Sequence, residues 1–171
     1  LTTEMETANW DFYSKTLRGA KAQRPFEKRA LSRVNRNLGQ PLGKLYVAEK
    51  FPPAAKEQTK ELVCNLIKAY TTRINNLEWM DASTKEKAIE KLEKITVKVG
   101  YPDHWEDYSA LTLNDTDGTV SYFGAMRNIN RFNFNKDLED LKKPVDKSKW
   151  YMSPQTVNAY YNPPYNEIVF P

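Results

Sequence analysis

Residues 157–171 read VNAYYNPPYNEIVFP. Two runs rich in β-forming side chains, VNAYY and EIVF, flank a Pro- and Asn-rich turn at Asn162 to Asn166, which is the pattern of a β-hairpin. If Val157 to Tyr161 is a strand, its alternation places Asn158 and Tyr160 on the face opposite Val157, Ala159 and Tyr161. Asn is depleted in strands, so its position asks for a reason. Two readings fit. Asn158 is either a polar residue of an edge strand facing water, or an amide that anchors the main chain of an extended peptide added to that edge.

Upstream of Trp150 the spacing changes from two to between three and four. The expected fold class is therefore mainly α: a lobe of five to seven helices over residues 1–150, then a short β-hairpin in residues 151–171. Met5, Ala8, Phe12 and Leu17 mark a first helix ending near Gly19. Pro25 suits the opening turn of a second, with Phe26, Ala30, Val34 and Leu38 on one face up to Gly39. QPLGKLYVAEKFPP gives only a short apolar patch at Leu42, Leu45 and Tyr46, stopped by Pro52 and Pro53.

The strongest periodicity is Val63, Ile67, Tyr70, Ile74 and Leu77, a long amphipathic helix. After a tight turn at Met80 to Ala82, Ser83 and Glu86 stand in capping-box spacing. Ala88, Leu92, Ile95 and Val99 then predict a helix up to Gly100 and Pro102. DHWEDYSALTLNDTDG reads as a loop pinned by Trp105, Tyr108 and Leu111. Tyr122, Met126 and Ile129 mark another helix, and Leu138 with Leu141 a separate short one.

Of the 171 residues 40% are hydrophobic and 28% charged, the composition of a folded protein. No apolar run approaches the roughly 18 residues of a membrane span, and LTTEMETANWDF lacks the form of a signal peptide. With Cys64 the sole cysteine, an intramolecular disulfide and a cysteine zinc site are both excluded. The net charge is +4. KAQRPFEKR is the densest basic stretch, read as a solvated helix face; no base-stacking or groove-reading motif accompanies it, so nucleic acid is not an expected partner.

Catalytic motifs are scarce. His104, the single histidine, stands in DHWED beside Asp103, Glu106 and Asp107, but a catalytic zinc needs about three protein ligands in fixed geometry. No metal ligand and no catalytic residue is assigned here. A hydrolytic triad could be built only around His104, and no nucleophile-elbow pattern is present. LGQPLGK lacks the spacing of a phosphate-binding loop. Asn114-Asp115-Thr116 fits a glycosylation triplet, a pattern common by chance.

Four stretches carry a resemblance. GQPLGKLYVAEKFPPAAKEQTKELV, EWMDASTKEKAIEKL, VKVGYPDHWEDYS and KKPVDKSKWYMSPQTVNAYYNPPYNEIVFP together resemble the neprilysin and endothelin-converting enzyme family of zinc metallopeptidases, most of all its bacterial oligopeptidase O branch. The resemblance implies a helical lobe covering a thermolysin-like catalytic lobe, whose start is residues 151–171. It implies that the Asn158 side chain and Ala159 backbone hold the substrate main chain, and that Tyr160 lines the pocket for the residue before the scissile bond.

The zinc of that family is held by an HExxH helix and a third ligand, none of which occurs in these residues. The chain is therefore expected to be an inactive piece of a longer enzyme. Its expected partners are oligopeptide substrates and the remainder of the catalytic lobe, and its expected compartment the bacterial cell envelope or exterior. Strands without their sheet are expected to be disordered or to pair with another molecule. The alternative is a non-enzymatic helical module that binds proteins or peptides through the strand edge.

Overall fold

The computed structural model describes residues 2–114 and 118–171. The Asn114-Asp115-Thr116 triplet lies partly outside the described residues. Six α-helices and three strands are present among those described, and the chain forms two compact units, residues 1–37 and 38–171.

In the first unit, helix α1 (Thr3–Asn9) is capped by the Thr2 hydroxyl, which accepts from the Met5 N–H at 3.4 Å. It runs on into a π-helical stretch, Trp10–Thr16, closed by the Leu17 N–H donating to the Phe12 carbonyl. Gly19, at φ +68°, provides the left-handed exit expected of it. Helix α2 (Phe26–Asn37) begins directly after Pro25, as its sequence indicates, and an ion pair between Arg29 and Glu6 ties it to α1.

The second unit opens with a helix where only an apolar patch is expected: α3 spans Gly39–Lys50. Pro41 is accommodated because it sits in the first turn, where an N–H has no intrahelical partner to lose. Helix α4 (Pro53–Asn75) is the long amphipathic element, with Pro53 at its start and Val63 buried, although Tyr70 lies exposed. Helix α5 (Ala82–Glu93) is capped by Asp81 and not by Ser83. One Asp81 oxygen accepts from the Thr84 N–H and the Ser83 hydroxyl, both at 2.8 Å, and the other accepts from the Thr84 hydroxyl at 2.9 Å.

The helical stripe predicted to reach Val99 stops at Glu93, and Thr96–Val99 forms strand β1. Helix α6 (Tyr122–Asp140) is continuous, correcting the expectation of two separate helices. Strand β2 is Tyr160–Asn162 and β3 is Glu167–Phe170, joined by a 3₁₀ turn at Pro163–Tyr165 and by Asn166 at φ +47°. The order is β1-β3-β2, with β3 parallel to β1 and antiparallel to β2. The hairpin thus lies in a sheet with β3 at its centre, Val169 fully buried, and its strands are not left without neighbours. No helix among the described residues is long and apolar enough to cross a membrane.

Candidate functional site

Beneath the hairpin lies a buried polar chain. Glu167 on β3 is wholly inaccessible, and Lys98 on β1 is nearly so. Their side chains meet at 2.7 Å as a charge contact, while the Lys98 ammonium directs hydrogen bonds to the carbonyls of Lys147 at 2.6 Å and Lys149 at 3.0 Å. The other Glu167 oxygen accepts from the Asn162 side chain at 3.2 Å. One buried cation therefore fixes the strand β1, the central strand and the 147–149 segment together, with β2 attached through Asn162.

A second anchor comes from α3. Gly39 and Gly43 face the turn 153–155 so closely that a Cβ on Gly39 would stand 2.2 Å from the Ser153 hydroxyl, and one on Gly43 2.6 Å from Pro154 Cδ. Gln155 donates to the Gly39 carbonyl at 3.0 Å, and Gln40 to the Met152 carbonyl at 3.4 Å. The absent side chains of α3 are what admit this turn, from which the chain passes directly to Val157.

Val157, Asn158 and Ala159 are exposed and precede the strand rather than belonging to it. The alternation argument for Asn158 as a mid-strand residue is corrected accordingly. The Asn158 N–H donates to the Thr156 carbonyl at 3.0 Å, and its side-chain oxygen accepts from the Ala159 N–H at 2.8 Å, a local side-chain-to-backbone bond. Tyr160 begins β2, one of the two edge strands of the sheet among the described residues. Its hydroxyl oxygen accepts from the Tyr151 N–H at 3.2 Å, and burial raises the phenol above its ordinary pKa, so it is protonated at neutral pH.

The DHWED loop is partitioned among structural tasks. Asp103 pairs with the buried Lys56, which also donates to the Tyr101 carbonyl at 2.8 Å and lies 4.1 Å from that ring's centroid. Glu106 pairs with Lys136 and accepts from the Tyr108 hydroxyl, and Asp107 turns the backbone at Ser109. His104 is exposed. Among the described residues no three His, Cys, Asp or Glu side chains are grouped so as to hold a metal ion.

Periodicity revealed neither Tyr151, which contacts Tyr160, nor the buried pair of Lys98 and Glu167. A charged residue at an alternating position in TVKV and another in EIVF are the only local signals of the buried pair.

Residues 1–102 match the family model described as peptidase family M13. The chain is 37% identical over 160 residues to a neutral endopeptidase of Lactococcus lactis subsp. lactis, covering 93% of this chain and 25% of that protein. It is 32% identical over 160 residues to neprilysin-3 of Drosophila melanogaster, covering 92% and 20%. An inhibitor-bound zinc metalloprotease of Mycobacterium tuberculosis has a similar structure, with a TM-score of 0.87 and 44% identity across 100% of this chain and 25% of that one. The chain thus spans a fifth to a quarter of the length of these relatives.

Proposed function

Because the chain belongs to peptidase family M13, as the match to residues 1–102 establishes, we propose that it is part of a zinc-dependent metalloendopeptidase cleaving oligopeptides. Residues 1–150 contribute a helical cover to the reaction chamber, and residues 151–171 open the catalytic lobe with an edge that holds the substrate backbone. Zinc, held by ligands outside these residues, would supply the activation of water.

The observation that carries the reading is the exposed run Val157 to Ala159, leading into edge strand β2 and following a segment held by Lys98 at residues 147 and 149 and by α3 at residues 153–155. An extended peptide beside such an edge gains main-chain hydrogen bonds in register. The bond closed between the Asn158 side-chain oxygen and the Ala159 N–H presents one acceptor and one donor side by side. A peptide strand takes over both, its own N–H to Asn158 and its carbonyl to Ala159. Tyr160 then faces the side chain before the scissile bond, and the held peptide is oriented for attack.

In the complete protease, Asn158→Ala removes the side-chain half of this clamp. Loss of a hydrogen bond to a bound peptide costs about 1–1.5 kcal/mol, so kcat/KM should fall roughly tenfold with zinc content unchanged. Unaltered kinetics in that variant would overturn the anchoring role. A stop codon directly after Pro171 in the gene, with no HExxH encoded, would remove the enzyme reading altogether.

A further inference from the structure

Asn166 closes the hairpin in the left-handed region, at φ +47° and ψ 52°, a conformation that asparagine tolerates better than most side chains. Each of its hydrogen-bonding groups engages a different segment. The N–H donates to the Pro163 carbonyl at 3.1 Å within the turn, and the backbone carbonyl accepts from the Thr96 N–H at 2.8 Å, where β1 starts. The side-chain amide donates to the Lys91 carbonyl at 2.8 Å, and the side-chain oxygen accepts from the Tyr161 hydroxyl at 2.9 Å.

The Lys91 carbonyl belongs to the last turn of α5, where a carbonyl has no partner within the helix. Asn166 supplies that partner. Lys91 also places its ammonium 5.9 Å from the Tyr161 ring centroid. Helix α5 thus reaches β2 at one residue by two routes, and that residue directly follows Ala159 and Tyr160. The turn itself uses only the backbone of Asn166, and a glycine would hold φ +47° as readily. The amide has another task.

We propose that Asn166 is a positioning residue for peptide binding: through Tyr161 it fixes edge strand β2 against α5, so that Asn158 and Ala159 meet the peptide main chain already in place. The inference rests on the edge reading above and adds to it the residue that keeps the edge ordered. An edge released from α5 must be ordered by the peptide at each binding event, a cost borne alike by bound substrate and transition state. It falls on KM and spares kcat.

The test uses the complete protease and one fluorogenic oligopeptide. Asn166→Gly keeps the turn and both backbone bonds but loses both side-chain bonds, so KM should rise about tenfold with kcat unchanged. Tyr161→Phe loses one of the two and should raise KM about threefold. The double variant should match Asn166→Gly, because Tyr161 acts through Asn166. Lys56→Met, destabilised elsewhere, should leave KM alone. Equal rises in KM from Lys56→Met and Asn166→Gly, or a fall in kcat alone, would reduce Asn166 to a structural residue and end the proposal. Effects of the two single variants that multiply would show that Tyr161 meets the peptide itself, and the inference falls. Were Asn166→Gly too unstable to assay, Tyr161→Phe decides alone, with an unchanged KM counting as refutation. Asn158→Ala separates the two levels. If it lowers kcat/KM while Asn166→Gly behaves as wild type, the positioning inference alone fails. If it changes nothing, the edge reading fails and this inference with it.

Discussion

The Lys98 ammonium lies 2.7 Å from a Glu167 carboxylate oxygen, with both side chains buried between parallel strands drawn from distant parts of the chain. Neither charge has water to turn to, so each depends on the other. Lys98→Met leaves a carboxylate uncompensated in the interior and should destabilise the fold by about 3–5 kcal/mol. Replacing both, Lys98→Met with Glu167→Met, removes the orphaned charge and should recover much of that loss, since a buried pair often contributes little relative to apolar side chains of similar volume. Denaturant unfolding of the four proteins measures the coupling. A single variant within about 1 kcal/mol of wild type would show that the pair is solvated in solution.

At Gly43 the prediction concerns space. An alanine there places its methyl 2.6 Å from Pro154 Cδ and 2.8 Å from the Gln155 side-chain oxygen, on a buried helix face. Overpacking of this kind costs about 1–3 kcal/mol. The strain falls on the turn that leads into Asn158, so peptide turnover by the complete protease should fall as well. Nothing lies within 4 Å of a Cβ built at Gly19. Gly19→Ala should therefore leave turnover alone and cost only the backbone strain of φ +68°. Equal turnover in the two variants would count against a positioning role for α3.

Lys56 holds the DHWED loop by its two hydrogen bonds and its place over the Tyr101 ring, which stacks on Trp105 at 6.2 Å. Lys56→Met keeps the stem but withdraws the buried donor from the Tyr101 carbonyl. A loss of about 1–3 kcal/mol is expected, read by thermal unfolding with Trp105 fluorescence as the local probe. A variant with wild-type stability and an unchanged Trp105 signal would mean that the loop is held by its aromatic contacts alone.

These positions also show what could be read from sequence. Helices α2 and α4 were legible because the information is local, an apolar face at helical spacing, with Pro25 marking the start of α2; Pro53 reads only as a stop, whereas α4 begins with it. Strand β1 was not, since Ile95 and Val99 continue the stripe of Ala88 and Leu92, and strand β3, whose pairing overrides that spacing, lies far downstream. Asp81 and Ser83 both suit a cap, and the structure selects the carboxylate, with two oxygens for three donors. Strand alternation singles out Asn158, and the roles of Ala159 and Tyr160 come only from family resemblance; the alternation assigns Asn158 and Ala159 to an element that begins only at Tyr160. Tyr151 gave no local signal because its contact is with a ring nine residues later.

The Asp81 cap offers a test by pH. Hydrogen bonds from the Thr84 N–H, the Ser83 hydroxyl and the Thr84 hydroxyl hold its carboxyl pKa down from the ordinary 3.8 to about 2. A carboxylate whose folded pKa is depressed stabilises the native state fully above its unfolded value. That contribution disappears as pH falls through the folded one, so the window runs from about pH 4 to about pH 2. Wild type should melt above Asp81→Ala at pH 7 and at pH 5. The gap should narrow below pH 4 and close near pH 2, where the protonated side chain accepts these bonds poorly. Melting curves of the two proteins across that range decide it, and a gap that persists undiminished at pH 2 would mean that shape, not charge, caps α5.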